Sequence, residues 1–237
     1  MSGFAPKRVN PEGFLFDKDG TLFDFHATWN VWAGGLIREL SGGDPAVIDA
    51  LARSMHYDLA TQRFLPTSPV IAGTNREATE CVAVALPERD FDELEHHLMV
   101  SSSQAPLVAA VPLAPFLDDL AGRGMALGVM TNDTEFGARA HLDVAGVTEK
   151  FDFVAGFDSG HGAKPDPGPL LAFARSMQLD PAAVVMVGDS AHDLIAGRAA
   201  GMQTIGVLTG VAETDDLAPL ADIVLPDIGH IPAWLEG

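Results

Sequence analysis

Two carboxylates one residue apart, Asp17 and Asp19, stand in the stretch Phe14-Leu15-Phe16-Asp17-Lys18-Asp19-Gly20-Thr21-Leu22. The apolar run Gly13–Phe16 before them reads as a short buried strand. Alternation along a strand lets Asp17 and Asp19 face one way while Lys18 points away from them. Carboxylates that close repel unless a cation sits between them or one keeps a proton. Gly20 then permits a sharp turn and exposes backbone N–H groups. These residues offer a hard-cation site, a carboxylate nucleophile and an anion cradle. Asp-x-Asp-Gly also serves plain turns, so partners elsewhere in the chain decide between the two readings.

Three further clusters are such partners. Thr131-Asn132-Asp133 puts a hydroxyl and amides ahead of a helix, and helix N-termini present N–H groups to anions. Gly162-Ala163-Lys164-Pro165-Asp166-Pro167 places one lysine beside prolines, just before another helix. In Gly188-Asp189-Ser190-Ala191-His192-Asp193 the aspartates are four apart, so they share a face of a first helical turn. Each cluster has a bland use. Thr and Asn cap helices, a lysine can be solvated, and aspartates complement a helix dipole. All four clusters follow apolar strands, however, and that order points to one site.

The elements that must position them follow from periodicity. Strands are expected at Gly13–Phe16, Ala126–Met130, 151–155, 184–187, 204–207 and Ile223–Leu225. Helices are expected between the later strands, at 115–123, 134–145, 167–177 and 191–200. Strands alternating with helices imply a parallel sheet covered on both faces, with ligands outside the carboxyl ends of the strands. Between the first strand and the rest lies a helical stretch, with helices at 29–40, 45–60, 76–86 and 91–103. Asp44 and Asp90 serve as N-caps there, and Gly42-Gly43 as a stop. The expected class is α/β: a Rossmann-like core of residues 1–25 and 107–237, and an all-helical cap of residues 26–106 inserted after the first strand. Pro106, Pro112 and Pro115 suit a stiff return leg.

The chain has 237 residues, 47% hydrophobic and 20% charged, an ordinary globular balance. Its net charge is −19, with lysine only at 7, 18, 150 and 164, which disfavours nucleic acid and anionic membranes. An anionic substrate must therefore be drawn in by a local cation. The single cysteine, Cys81, excludes an intrachain disulfide, suits a reducing cytoplasm and reads as a packed thiol. Residues 1–8 carry no apolar export signal, and no run approaches a membrane span.

With these pieces in order, the chain resembles haloacid dehalogenase superfamily hydrolases over about residues 12–235. The likeness is to the phosphatase branch with a helical cap after the first strand. Asp17-Lys18-Asp19-Gly20-Thr21-Leu22 and Gly188-Asp189 with Asp193 carry it most specifically. Ala72-Gly73-Thr74-Asn75 ahead of a cap helix, with Ala221-Asp222-Ile223-Val224, makes it most similar to the phosphoglycolate phosphatase group. Lys18 departs from the group, where the intervening residue is often apolar. The resemblance implies that Asp17 attacks phosphorus and that Asp19 is the general acid and base. It implies that Mg²⁺ is held by Asp17, the Asp19 carbonyl and Asp189. Asp193 would orient a metal-bound water or support Lys164. Gly20, Thr131, Asn132 and Lys164 would hold phosphoryl oxygens. Cap candidates for substrate contact are Arg63, Thr74, Asn75 and Arg76, with His26, Trp29, Arg53 and His56 behind them. The implied substrate is a small phosphorylated metabolite, 2-phosphoglycolate first. The competing readings are a β-phosphoglucomutase-like phosphotransferase and a non-catalytic binding module on the same fold.

Overall fold

The computed structural model describes residues 10–236, so the reading of residues 1–8 lies outside it. Strand β1 (Gly13–Phe16) is the middle of a six-stranded parallel sheet. The others are β4 (Ala126–Met130), β5 (Phe153–Ala155), β6 (Val184–Gly188), β7 (Gln203–Val207) and β8 (Ile223–Leu225). Their spatial order is β5-β4-β1-β6-β7-β8. Side chains alternate between the two faces. Phe14 and Phe16 join Leu117, Leu127 and Val185 in one core, while Leu15 joins Met130, Phe173 and Met186 in the other. Helices α5 (Leu113–Gly122), α6 (Glu135–Val144), α7 (Gly168–Met177), α8 (Ala191–Ala200), α9 (Thr214–Leu217) and α10 (Ile231–Glu236) complete the α/β body.

The segment between β1 and α5 folds around a separate apolar core that includes Trp32, Leu36, Leu51, Leu94 and Leu98. Its helices are α1 (Val31–Ser41), α2 (Pro45–Ser54), α3 (Asn75–Ala85) and α4 (Phe91–Ser102). The expected signals operate. Asp44 caps α2, Asp90 caps α4, and Gly42 ends α1 in the left-handed region. The expected helix 45–60 stops at Ser54, because Tyr57–Asp58 (β2) pairs with Arg63–Phe64 (β3) in a short ribbon. Asn30 pins that ribbon: its carbonyl accepts from the Tyr57 hydroxyl at 3.0 Å and its side chain from the Phe64 N–H at 3.0 Å. The cap is therefore helical apart from this ribbon. Half-buried Cys81 packs beside the cap core, and burial together with Glu80 and Glu77 pushes its thiol pKa up. The two crossings between cap and body run side by side: Asp24 N–H donates to the Val108 carbonyl and Ala110 N–H to that of Leu22. Among the described residues no helix is long and apolar enough to cross a membrane.

Candidate active site

Sheet register brings the clusters together. Phe16 is level with Val129 on β4 and with Val187 on β6. The residues just beyond, Asp17, Thr131 and Asp189, therefore emerge at one edge. They line a cleft between the sheet edge and the cap.

At the floor, Lys164 Nζ donates to Asp17 Oδ1 at 2.6 Å and to the Met130 carbonyl at 2.9 Å, and pairs with Asp193 Oδ1 at 2.7 Å. Those three acceptors match the three protons of an ammonium. Asp193 Oδ2 accepts from the Ser190 N–H and hydroxyl, which fixes it at the start of α8. Asp193 thus holds the lysine. Burial, then the charges of Asp193 and Asp19, raises the Asp17 pKa to about 7 despite Lys164. Burial and the neighbouring Asp193 and Asp17 also raise Asp189 well above the carboxylate range. Burial works against the charge on Lys164, but Asp17 and Asp193 outweigh it and raise its pKa.

Carboxylate oxygens of Asp17, Asp189 and Asp193 all lie within 4.8 Å of one another. Two glycines make room for Asp189. A Cβ on Gly20, whose φ is +79°, would stand 2.3 Å from Asp189 Oδ2, and one on Gly210 would overlap the same atom. Buried carboxylates crowded together and short of cations are the donor set that a hard oxygen-seeking divalent ion takes.

Lys18 departs from expectation. Its side chain does not point away from the carboxylates. It is 0% exposed, with Nζ 2.7 Å from Asp19 Oδ2, 3.1 Å from Asp133 Oδ2 and 2.9 Å from His141 Nδ1. Strand alternation fails because β1 ends at Phe16 and the chain then folds into a turn, with Leu22 and Phe23 N–H groups donating to the Lys18 carbonyl. An ammonium has no lone pair, so His141 Nδ1 accepts from it and Nε2–H donates to the Ser102 carbonyl at 2.9 Å. Burial and the Lys18 charge lower the His141 pKa. For Lys18 itself burial opposes the charge, and Asp19 and Asp133 override it. His141 showed no sequence signal beyond its place on a helix. Only the tertiary fold brings it to Lys18.

Other expected contacts also change. The Gly20 N–H donates to the Phe23 carbonyl at 2.8 Å, so the tight turn consumes it and no phosphate contact is left there. Both amide hydrogens of Asn132 are taken, by the Ala72 carbonyl of the cap at 3.0 Å and the Lys164 carbonyl at 2.9 Å. Its Oδ1 accepts from the Lys164 N–H at 2.9 Å. The Asn132 side chain is a clasp between cap and body and holds no phosphoryl oxygen in this arrangement. The Thr131 hydroxyl accepts from the Asp133 N–H at 3.1 Å and borders the cleft. Thr74 and Asn75 border it too, but Thr74 caps α3 with Glu77 and the Asn75 amide donates to the Glu95 carbonyl. Arg63 and Arg76 are not among the lining residues. Arg63 is exposed on β3, and Arg76, 58% exposed, pairs with Glu95 and lies over the Phe91 ring.

The family model for haloacid dehalogenase-like hydrolases matches residues 11–201. This chain belongs to that family. It is a hydrolase of the phosphatase kind. A phosphoglycolate phosphatase from Rhodospirillum rubrum is 35% identical over 228 residues, covering 95% of this chain and 91% of the relative. An N-acetylmuramic acid 6-phosphate phosphatase from Pseudomonas putida is 29% identical over 202 residues, 85% of each chain. The structure of β-phosphoglucomutase from Clostridium difficile superposes with a TM-score of 0.68 at 17% identity, covering 95% of this chain and 97% of that one. At that identity the likeness shows a shared fold and does not choose between hydrolysis and phosphoryl transfer.

Proposed function

We propose that the chain is an Mg²⁺-dependent phosphomonoesterase that works through an aspartyl-phosphate on Asp17. The observation that carries this is the pairing of Asp17 Oδ1 with Lys164, which leaves Oδ2 to attack, while Asp19 borders the same cleft. In the first step Asp17 Oδ2 bonds to phosphorus and the ester P–O bond breaks. Asp19 gives its proton to the departing alkoxide, releasing the alcohol. In the second step Asp19 takes a proton from water as the water oxygen attacks phosphorus. The acyl-phosphate bond to Asp17 then breaks and inorganic phosphate leaves. The Thr131 hydroxyl would donate to a phosphoryl oxygen, and the Lys164 ammonium, bonded to Asp17 Oδ1, would supply positive charge beside the oxygens on which charge spreads in the transition state.

Asp17, Asp189 and the Asp19 carbonyl would hold Mg²⁺, with Asp193 beside them. The ion supplies charge neutralisation for the phosphoryl group and for the crowded carboxylates. The cap excludes water and sets the substrate, which is a small phosphorylated metabolite. We propose the residue boundaries 26–106 for the cap and a cytoplasmic setting. 2-Phosphoglycolate, carried by the resemblance and by the name of one relative, is the first compound to try.

The test is phosphate release from p-nitrophenyl phosphate with Mg²⁺ and after chelation. Release that depends on added Mg²⁺ is expected. Release unaffected by chelation contradicts the metal assignment, and no release under either condition contradicts the phosphatase reading.

A further inference from the structure

The cleft has a charged floor and an apolar wall. Phe25, Trp29, Trp32, Phe64, Val70 and Ile71 line it from the cap side. Trp29 and Trp32 meet edge to face, with ring centroids 5.2 Å apart at 84°, and Phe25 lies 6.3 Å from Phe64. Much of this wall is cap core, but Trp29, Val70 and Ile71 remain only half-buried and border the opening. Apolar surface kept uncovered beside a charged floor is what a ligand with an apolar part would cover.

The charges point the same way. Asp17, Asp19, Asp133, Asp189 and Asp193 border the cleft, Asp19 and Asp133 already paired with Lys18, and among the described residues Lys164 is the one lysine or arginine on its lining. Lys164 is held by Asp17, Asp193 and the Met130 carbonyl, at the phosphate end. The cap arginines that could read a carboxylate, Arg53, Arg63 and Arg76, are exposed and outside the lining. A carboxylate on the leaving group would be desolvated against the apolar wall with no arginine or lysine among the described lining residues free to meet it.

We propose that the substrate is a phosphate monoester whose leaving alcohol is uncharged and carries an apolar group of about aromatic size, selected by the half-buried wall of Trp29, Val70 and Ile71. This rests on the phosphomonoesterase reading above and narrows it away from 2-phosphoglycolate. The reaction is unchanged: the ester P–O bond breaks, the alcohol leaves with the proton from Asp19, and water supplies the oxygen of the released phosphate.

The test uses the full chain with Mg²⁺ and three primary-alcohol esters: 2-phosphoglycolate, its primary amide, and 2-phenylethyl phosphate. The expected order of kcat/KM is acid below amide below phenylethyl ester, with the last exceeding the first by about tenfold or more. The same order is expected of His192→Gln, which removes the other basic side chain on the lining. In Ile71→Arg the ratio of acid to phenylethyl ester should rise about tenfold, and a ratio within one variant is independent of how much of it folds. Equal or better turnover of 2-phosphoglycolate in the wild type overturns the proposal, as does an unmoved ratio in Ile71→Arg. If p-nitrophenyl phosphate is hydrolysed while the acid leads the series, the specificity inference alone fails. If nothing is hydrolysed, the phosphomonoesterase reading fails and takes this proposal with it.

Discussion

Lys18 Nζ lies 2.7 Å from Asp19 Oδ2, and neither the strand nor the turn leaves that ammonium any exposure to water. The residue between the two aspartates is thus a buried counter-charge for one of them. It is fixed from behind by Asp133 and His141, and it sits 5.3 Å from the centroid of Trp29. Both Asp19 oxygens lie on that ammonium, Oδ1 at 2.9 Å and Oδ2 at 2.7 Å, which fixes the plane of the carboxylate beside the cleft.

Replacing Lys18 by Met keeps the stem and removes the charge. Asp19, Asp133 and His141 then lose their shared donor. Breaking one side of a buried ion pair costs about 3–5 kcal/mol, so urea unfolding should show a loss of that order. In the folded fraction kcat should fall more than KM rises, because Asp19 loses its orientation and not the phosphate site. An unchanged kcat in Lys18→Met contradicts the positioning role.

Asp19→Ala should lower kcat by roughly 10²–10⁴-fold, the usual worth of general acid–base catalysis. With p-nitrophenyl phosphate, whose leaving group needs little protonation, the first step should survive better than the second. Rapid-quench kinetics should then show a burst of nitrophenol followed by slow turnover. A variant that turns over at the wild-type rate contradicts the assignment.

The raised carboxylates make a signed prediction about pH. Asp17 has a folded pKa of about 7 against an ordinary value of 3.8, and Asp189 is raised as well. Between those limits the native metal-free state binds more protons than the unfolded one, so stability falls as pH rises. The contribution is fully present below about pH 3.8 and gone above about 7. Mg²⁺ requires the ionised carboxylates, so it should raise Tm more at pH 8 than at pH 5.5, both measured by calorimetry. A Mg²⁺ effect that is larger at the lower pH reverses the sign and contradicts the account.

Asn132→Ala removes the clasp to the Ala72 carbonyl and to the Lys164 backbone. Cap closure should weaken, so KM should rise several-fold, with a smaller change in kcat. A change confined to kcat would place Asn132 at the phosphoryl group after all.

Most of the sheet and three of the four cap helices were legible because apolar runs between turn signals announce them, and register then makes Asp17, Thr131 and Asp189 neighbours. Alternation predicts a direction for Lys18, but alternation ends with the strand at Phe16. The Gly20 N–H is consumed within its own turn by the Phe23 carbonyl, and the Asn132 amide by carbonyls 60 and 32 residues away, Ala72 and Lys164. Periodicity carries helix 45–60 through Tyr57, whose hydroxyl instead donates to the Asn30 carbonyl. Arg63 and Arg76 have the chemistry to read an anion, but residue type does not say which side of a cap a side chain faces, and both lie outside the lining. Phe25 joins Trp29 at the cleft wall only because the cap folds back over the sheet edge.

The most direct measurement is acid quench of the Mg²⁺-loaded protein during turnover of a ³²P-labelled phosphate ester, with the labelled peptide mapped by mass spectrometry. The account predicts label on Asp17, and neither label nor turnover in Asp17→Asn. Turnover that persists in Asp17→Asn, or label on another residue, would contradict it.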